Sequence, residues 1–214
     1  MKKTIITFIS SLMLLNYAHA QQPSFGFTAS ATFASYKVSA SSVSVTSKTK
    51  AGFSLGMLLS VPAGKNFSFQ PALNYVQKGG RLKEDNITDQ STFNYLELPL
   101  NFVYTAPSAQ GSFFVGVGPC LSMGLSGKEK YKDGTNEETT DIKFGSGDND
   151  DLKSFEAGIN CLAGYKFKGG FLVAANYNAG ISNIAITSEG DNSKAHNRYF
   201  GVRIGYMIPG KQKK

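Results

Sequence analysis

Histidine is the side chain that most often performs acid–base catalysis at neutral pH, and the sequence contains two, His19 and His196. His196 stands beside Asn197 and Arg198 at the start of an apolar alternating segment. The sequence contains no G-x-S-x-G elbow, H-E-x-x-H pair or phosphate-binding glycine loop. We therefore interpret His196 as a solvated residue at a loop–strand junction, and we expect no catalytic residue.

A second group of candidate ligands is the acidic run Asp148, Asn149, Asp150 and Asp151, which follows a Gly-Ser-Gly segment. Clustered oxygens of this kind are the ligands that Ca²⁺ prefers. The run lacks the ligand spacing of an EF-hand loop, so we interpret it as a solvated acidic loop. We expect no metal ion and no cofactor.

A third feature is a carboxylate in the middle of an alternating segment, residues 93–104. Every second residue from Leu96 to Tyr104 is apolar, whereas Tyr95, Glu97 and Asn101 fall on the other face. A period of two indicates a strand whose two faces meet different solvents. A buried charge needs a partner, so Glu97 predicts a polar interior on one side of this strand.

Seven further segments share this two-faced pattern, and none shows a competing helical period. They are residues 25–36, 51–61, 67–78, 112–125, 153–167, 171–181 and 198–208. The connections after the second, fourth and sixth of the eight segments are short, and the others are longer and polar. Short turns at one rim and long loops at the other are typical of outer-membrane barrels. The sequence predicts an all-β fold, an eight-stranded antiparallel up-and-down transmembrane β-barrel.

The N-terminus predicts secretion. Lys2 and Lys3 precede an apolar run that ends in an Ala-x-Ala cleavage site at residues 18–20. We assign residues 1–20 to a signal peptide and 21–214 to one barrel domain. Without the two leader lysines the formal charge falls from +7 to +5, so the basic balance gives no reason to expect nucleic-acid binding.

Several motifs resemble one known family. The run YLELPL at residues 95–100, GVGP at 116–119, AGY at 163–165 and YFGVRIGY at 199–206 resemble the PorT-like outer-membrane β-barrel family, an OmpA/OmpX-like type known mainly from Bacteroidota. The resemblance implies a cell outer-membrane location, among membrane lipid and lipopolysaccharide. It implies no single activity, although the namesake of the family is linked to protein secretion. Unlike typical members, the chain continues past its last aromatic residue through Pro209 to Lys214.

We therefore expect a monomeric barrel with a non-catalytic role that is structural, surface-interacting or secretion-associated. Two alternatives stay open. A secreted soluble barrel of lipocalin type would turn the apolar rows inward around a small apolar ligand, because periodicity does not distinguish inside from outside. The other alternative is an outer-membrane lipid-modifying enzyme.

The interior of such a barrel should hold a polar cluster. Glu97, Glu156 and Arg203 all fall on the polar faces of their strands. Eight strands enclose only enough room for side chains, and charges confined there must pair. We predict that Arg203 meets Glu97, Glu156 or both, and that this cluster blocks the lumen.

The two cysteines should remain free, although a secreted chain reaches an oxidising compartment. Cys120 shares a face with Ser122, whereas Cys161 shares a face with Ile159. Side chains on opposite faces of a sheet cannot be bridged without moving the backbone.

The longest connection, residues 126–151, is interpreted as a loop without regular structure of its own, and such loops are often functional. Its four lysines oppose eight acidic residues, which gives a net charge of −4. If the protein has a protein partner outside the cell, we expect this loop to lead the contact and to favour basic groups; a merely solvated loop is the alternative. The residues assigned to this contact are Lys128, Glu129, Asp133, Glu137, Glu138, Asp141, Asp148, Asp150 and Asp151.

Overall fold

The computed structural model describes residues 23–40, 43–84, 87–147, 149–187 and 192–208. The predicted signal peptide at 1–20, the candidate contact residue Asp148 and the tail from Pro209 lie outside the described residues. No helix in the described ranges is long and apolar enough to span a membrane.

The described residues form strands joined by turns. In chain order the strands are β1 (Ser24–Ala40), β2 (Val43–Thr46), β3 (Lys50–Pro62), β4 (Phe67–Glu84), β5 (Ile87–Ser108), β6 (Gly111–Asp133), β7 (Asn136–Ile142), β8 (Phe144–Gly145), β9 (Leu152–Lys153), β10 (Phe155–Phe167), β11 (Phe171–Gly180) and β12 (Lys194–Ile208).

Eight of these strands close a ring. The order of the ring is β1, β3, β4, β5, β6, β10, β11 and β12, and β12 pairs back onto β1 from Phe25 opposite Ile208 to Ser39 opposite Lys194. Every neighbouring pair in the ring is antiparallel. A closed ring has no unpaired edge, which is the condition for a sheet to survive in lipid. The predicted eight-stranded antiparallel barrel is confirmed.

The apolar rows of the strands face outward. Phe27 and Phe102 are 52% and 61% exposed, whereas their neighbours Thr28 and Asn101 are buried inside the ring. Large apolar side chains exposed around the whole circumference have a favourable environment in hydrocarbon and an unfavourable one in water. The soluble lipocalin-like alternative is therefore wrong.

The long-loop rim is more regular than expected. β6 continues to Asp133, turns at Gly134 and returns as β7, which pairs with it from Asp133 opposite Asn136 to Gly127 opposite Ile142. The interpretation of residues 126–151 as a loop without regular structure is wrong for most of its length. Above the membrane both faces of a hairpin meet water, so the two-faced pattern disappears while the backbone pairing continues.

A β-bulge in β6 changes which residues face inward near this rim. Asn94 lies opposite Ser126 and Tyr95 opposite Gly124, so Leu125 is an extra residue without a partner on β5. One extra residue exchanges the two faces of the strand beyond it. As a result Glu129 is half-buried at the inner side of the rim, and Lys128 is exposed outside.

The short-turn end of the interior is apolar. Leu58, Ala72, Leu172 and Met207 form a buried cluster there, with Phe114 packed against them. This layer lies below the polar residues of the barrel interior.

Candidate functional site: the ion network across the barrel

The centre of the barrel interior is an ion network around Lys78. Its Nζ lies 2.8 Å from Oε1 of Glu97 and 3.1 Å from Oε2 of Glu156. All three side chains are at most 1% exposed. One ammonium therefore bridges carboxylates from two strands, β5 and β10, that are not paired with each other.

Neutral hydrogen-bond donors also contact both carboxylates, although Oε1 of Glu156 receives no hydrogen bond from a described residue. The hydroxyl of Tyr199 donates to Oε2 of Glu97 at 2.7 Å, and Oγ of Ser122 donates to Oε1 of Glu97 at 3.2 Å. Nδ2 of Asn197 lies 3.1 Å from Oε2 of Glu156. Charged groups withdrawn from water are tolerated when hydrogen bonds accompany the ion pairs.

Two aromatic rings flank the ammonium. Nζ of Lys78 lies 4.5 Å from the ring centre of Tyr95 and 5.7 Å from that of Tyr199. Both distances are within the range of cation–π attraction. Asn197 also donates to the Tyr95 hydroxyl at 3.2 Å, so the rings and the carboxylates form one connected network.

Two glycines allow close approaches beside this network. Gly79 follows Lys78 with φ of 137°, and a Cβ at this position would collide with the backbone oxygen of Ser91. A Cβ at Gly180 would collide with Oε1 of Glu156. Gly180 therefore leaves room for the side chain of Glu156, whereas Gly79 lets the backbones of β4 and β5 approach each other closely.

Glu97 and Glu156 lie in the interior, but the predicted partner is wrong. Arg203 makes no ion pair with either carboxylate among the described residues. It is four residues beyond Tyr199 on β12, about 13 Å nearer the short-turn rim at about 3.3 Å per residue. There it lines a cavity of about 40 Å³ beside Leu172, and its Nε has no hydrogen bond to a described residue.

Lys78 was not predicted as the partner, although it stands on the polar face of the segment 67–78. Lys78 is the last residue of that segment, and the two glycines that follow it end the alternation of apolar and polar residues. The available signal was a lysine on a polar face of the barrel, although the sequence does not show that its long side chain reaches Glu97 from a position opposite Phe93.

The polar filling continues toward the short-turn rim. Nδ2 of Asn160 donates to Oδ1 of Asn101 at 2.9 Å, and both residues are buried. Further asparagines are buried around the same interior: Asn74, Asn176 and Asn178.

The cysteines are placed as predicted. Cys120 is buried in the interior and Cys161 is exposed on the outer face, and both are free thiols. The expectation of two unbridged cysteines is confirmed for this structure.

The predicted contact residues on the β6–β7 hairpin divide between its two faces. Lys128, Asp133 and Glu138 are exposed, and Lys130 forms an exposed ion pair with Glu137 at 2.6 Å. The hydrogen bond from Lys130 lowers the pKa of Glu137.

Two other acidic residues of the connection, Glu129 and Asp151, turn toward the mouth of the barrel. Asp141 also borders the mouth, but it is exposed and lies opposite Lys128 of β6. Burial and the neighbouring Asp89 raise the pKa of Glu129. Asp151 accepts a hydrogen bond from the backbone of Lys143, and Asp150 accepts one from the backbone of Gly147. The last two contacts stabilise the loop itself.

His196 does not belong to a catalytic arrangement of the described residues. It is half-buried on β12, directly opposite Lys37 of β1. In the part of the chain that the structure describes, no group of three or more His, Cys, Asp or Glu residues could hold a metal ion.

A closed antiparallel barrel with an apolar outer belt and a charged, hydrogen-bonded interior defines an integral outer-membrane protein. A family model described as "Outer membrane protein beta-barrel domain" matches residues 19–185, and the chain belongs to this family. Its location is the cell outer membrane. No curated protein matches the chain.

Several solved structures are similar to this chain. OprG of Pseudomonas aeruginosa matches with a TM-score of 0.53 at 11% identity, covering 90% of this chain and 98% of OprG. Neisserial surface protein A matches with a TM-score of 0.45 at 14% identity, covering 88% of this chain and 100% of that protein. Ail, the attachment invasion locus protein of Yersinia pestis, matches with a TM-score of 0.41 at 14% identity, covering 86% of this chain and 98% of Ail. At 11% identity the likeness to OprG shows the fold alone.

Proposed function

We propose that this protein is a closed outer-membrane barrel with a non-catalytic, surface-interacting role. The observation that carries the proposal is the Lys78 bridge between Glu97 and Glu156. Four of the eight barrel strands, β4, β5, β10 and β12, supply its ionic and aromatic groups. A hydrated ion entering the lumen would have to separate buried charges in a site without bulk water, which is strongly unfavourable.

Conductance in planar bilayers tests the closed lumen. We expect the folded wild-type protein to give no steady ion current. The double variant Tyr95→Gly/Tyr199→Gly should conduct, because it removes the two rings that flank Lys78. Tyr75→Gly is the matched control, because this tyrosine packs against Phe53 on the outer face. Steady current through wild-type protein would contradict the proposal.

The contact element of this role is the β6–β7 hairpin with the segment that follows it. Its support is the acidic excess of residues 126–151, carried by a hairpin that projects beyond the apolar belt. The preferred partner would present basic groups, because opposite charge steers association. The lipid surroundings, including lipopolysaccharide phosphates, would repel this hairpin and hold it away from the membrane.

Replacing residues 128–151 with a short Gly-Ser turn tests this element. The shortened barrel should still fold, as seen by its heat-modifiable gel mobility, and should lose partner capture from cross-linked intact cells. Lys130→Glu/Glu137→Lys is the control, because it keeps the net charge and the hairpin. Unchanged capture by the shortened protein would exclude the hairpin as the contact element.

We also infer that the chain is a monomer of the PorT-like type. The support for the type is the YLELPL run, in which Glu97 is the residue bound by Lys78, Tyr199 and Ser122. The role of the motif would then be to supply the carboxylate that closes the lumen. The support for a monomer is the closed ring, which has no free edge to pair with a second copy within the barrel wall.

A further inference from the structure

Between the ion network and the long-loop rim, the barrel contains an open cavity of about 540 Å³. Phe93 and Asn197 lie at its inner end, where Asn197 contacts Glu156 of the ion network. The cavity therefore adjoins the ion network on the side of the long-loop rim. Its volume is within the range of small-molecule sites, about 300–1,000 Å³.

The walls of this cavity are mainly apolar. Its larger aliphatic lining residues on β1, β2, β4, β7 and β9 are Val38, Val43, Val45, Leu82, Ile142 and Leu152. The rings of Phe93 and Tyr36 also line it, with their centres 6.0 Å apart. A ligand with an apolar body would bury its surface here, and the aromatic faces would attract a cationic group.

The charges in the cavity are all of one sign. Asp89, Glu129, Asp141 and Asp151 line it, and no Lys, Arg or His is among the described lining residues. The bulge at Leu125 is the cause, because it turns Glu129 inward and the neighbouring Lys128 outward. The raised pKa of Glu129 reflects the same burial and crowding of carboxylates.

A buried acceptor lies at the inner end of the cavity. Asn197 is 2% exposed, and its Oδ1 receives no hydrogen bond from any residue that the structure describes. Its Nδ2 is occupied by Glu156 and Tyr95. This oxygen has no exposed surface for a ligand to contact, so the preference of the cavity for a cation depends on its carboxylates.

We propose that this cavity binds a small organic cation with an apolar body, of the alkylammonium or arylalkylammonium class. The apolar part packs between the aliphatic walls and the two rings. The ammonium group neutralises Asp89 and Glu129. The proposal goes beyond the closed-barrel function and does not depend on whether the lumen conducts.

A matched series of three ligands tests the proposal on the full-length protein in lipid nanodiscs. The probes are 2-phenylethylammonium, 2-phenylethanol and 3-phenylpropanoate, which share a phenylalkyl body and carry charges of +1, 0 and −1. Calorimetric and NMR titrations, corrected for partition into empty nanodiscs, should show saturable binding of the ammonium ion. The alcohol should bind at least about tenfold more weakly, a difference of about 1.4 kcal/mol, and the anion should not bind.

Three variants localise the site. Asp89→Asn/Glu129→Gln should weaken ammonium binding at least about tenfold. Val43→Arg should abolish binding by placing a cation in the cavity, and this exposed position tolerates the change without unfolding the barrel. Glu138→Gln/Asp133→Asn removes the same charge from the exposed hairpin and should leave affinity within about twofold. Equal binding of the three probes, unchanged affinity in Val43→Arg, or equal losses in the site and control variants would overturn the proposal.

Discussion

Removing Lys78 from the barrel interior should destabilise the protein more than removing all three charges of the network. In Lys78→Met the apolar stem is kept, but Glu97 and Glu156 lose their shared counter-ion. The oxygens of these carboxylates lie 2.8 and 3.1 Å from the same nitrogen. At an effective dielectric constant of about 20, each attraction is about 5–6 kcal/mol, offset by a desolvation cost of several kcal/mol for the ammonium. We expect a net loss of about 3–5 kcal/mol in the free energy of unfolding.

The sign of a second substitution gives the sharper test. In the wild-type background Glu97→Gln removes an ion pair and should destabilise. In the Lys78→Met background the same substitution should stabilise by about 3 kcal/mol, because it removes the repulsion between carboxylate oxygens at most about 6 Å apart. The triple variant Lys78→Met/Glu97→Gln/Glu156→Gln should return close to wild-type stability.

Urea unfolding in lipid vesicles measures these differences. Tyrosine fluorescence and heat-modifiable gel mobility are suitable signals, because the chain has no tryptophan. Gln77→Ala is the control, since its side chain bonds Asn94 outside the lumen. If Glu97→Gln destabilises both backgrounds equally, the two residues are not energetically coupled and the reasoning is wrong.

Three further predictions follow from individual residues. Gly79→Ala should lower the free energy of unfolding, measured in urea titrations, by about 1–3 kcal/mol more than Gly64→Ala does. The two glycines have similar φ values of 137° and 140°, but only Gly79 has a backbone oxygen against its Cβ position. Equal losses in the two variants would contradict the steric argument. In the folded protein in detergent, Cys161 should react with a maleimide, whereas Cys120 should react only after unfolding. Mass spectrometry measures both reactions, and equal rates would contradict the placement of Cys120 in the interior. The pKa of Glu129 is raised in the folded state, so its protonation stabilises the protein below the unfolded value of about 4.3 and that stability is lost as the pH rises through the folded pKa. The melting temperature of Glu129→Gln should therefore exceed that of wild type at pH 7.5 and approach it at pH 4, and a constant difference would exclude this cause.

The sequence predicted the transmembrane part of the strands well, because there the physical environment differs between the two faces. The segment predicted at 93–104 lies within β5, which extends to Ile87–Ser108. The prediction ended where the alternation ended, and the strand did not. At the long-loop rim both faces meet water, so the β6–β7 hairpin carries no two-faced signal and was interpreted as a loop.

The candidate site was predicted only in part. The polar faces of Glu97 and Glu156 followed from the period of two, and so did the opposite faces of the two cysteines. The partner of the carboxylates did not follow, because pairing depends on the relative depth of residues on different strands. Depth is set by the stagger of the closed sheet, which places Asn74 opposite Glu97 and leaves Arg203 near the other rim.

The sequence by itself determined the strand number, the order of turns and loops, and the division of each strand into an apolar and a polar face. These properties are local, since they follow from the spacing of residues along one strand. The tertiary structure alone decided that the apolar faces point outward, that Lys78 is the common partner of Glu97 and Glu156, and that the bulge at Leu125 turns Glu129 into the mouth. These properties depend on how strands far apart in the chain close into one ring, and a period of two contains no information about that closure.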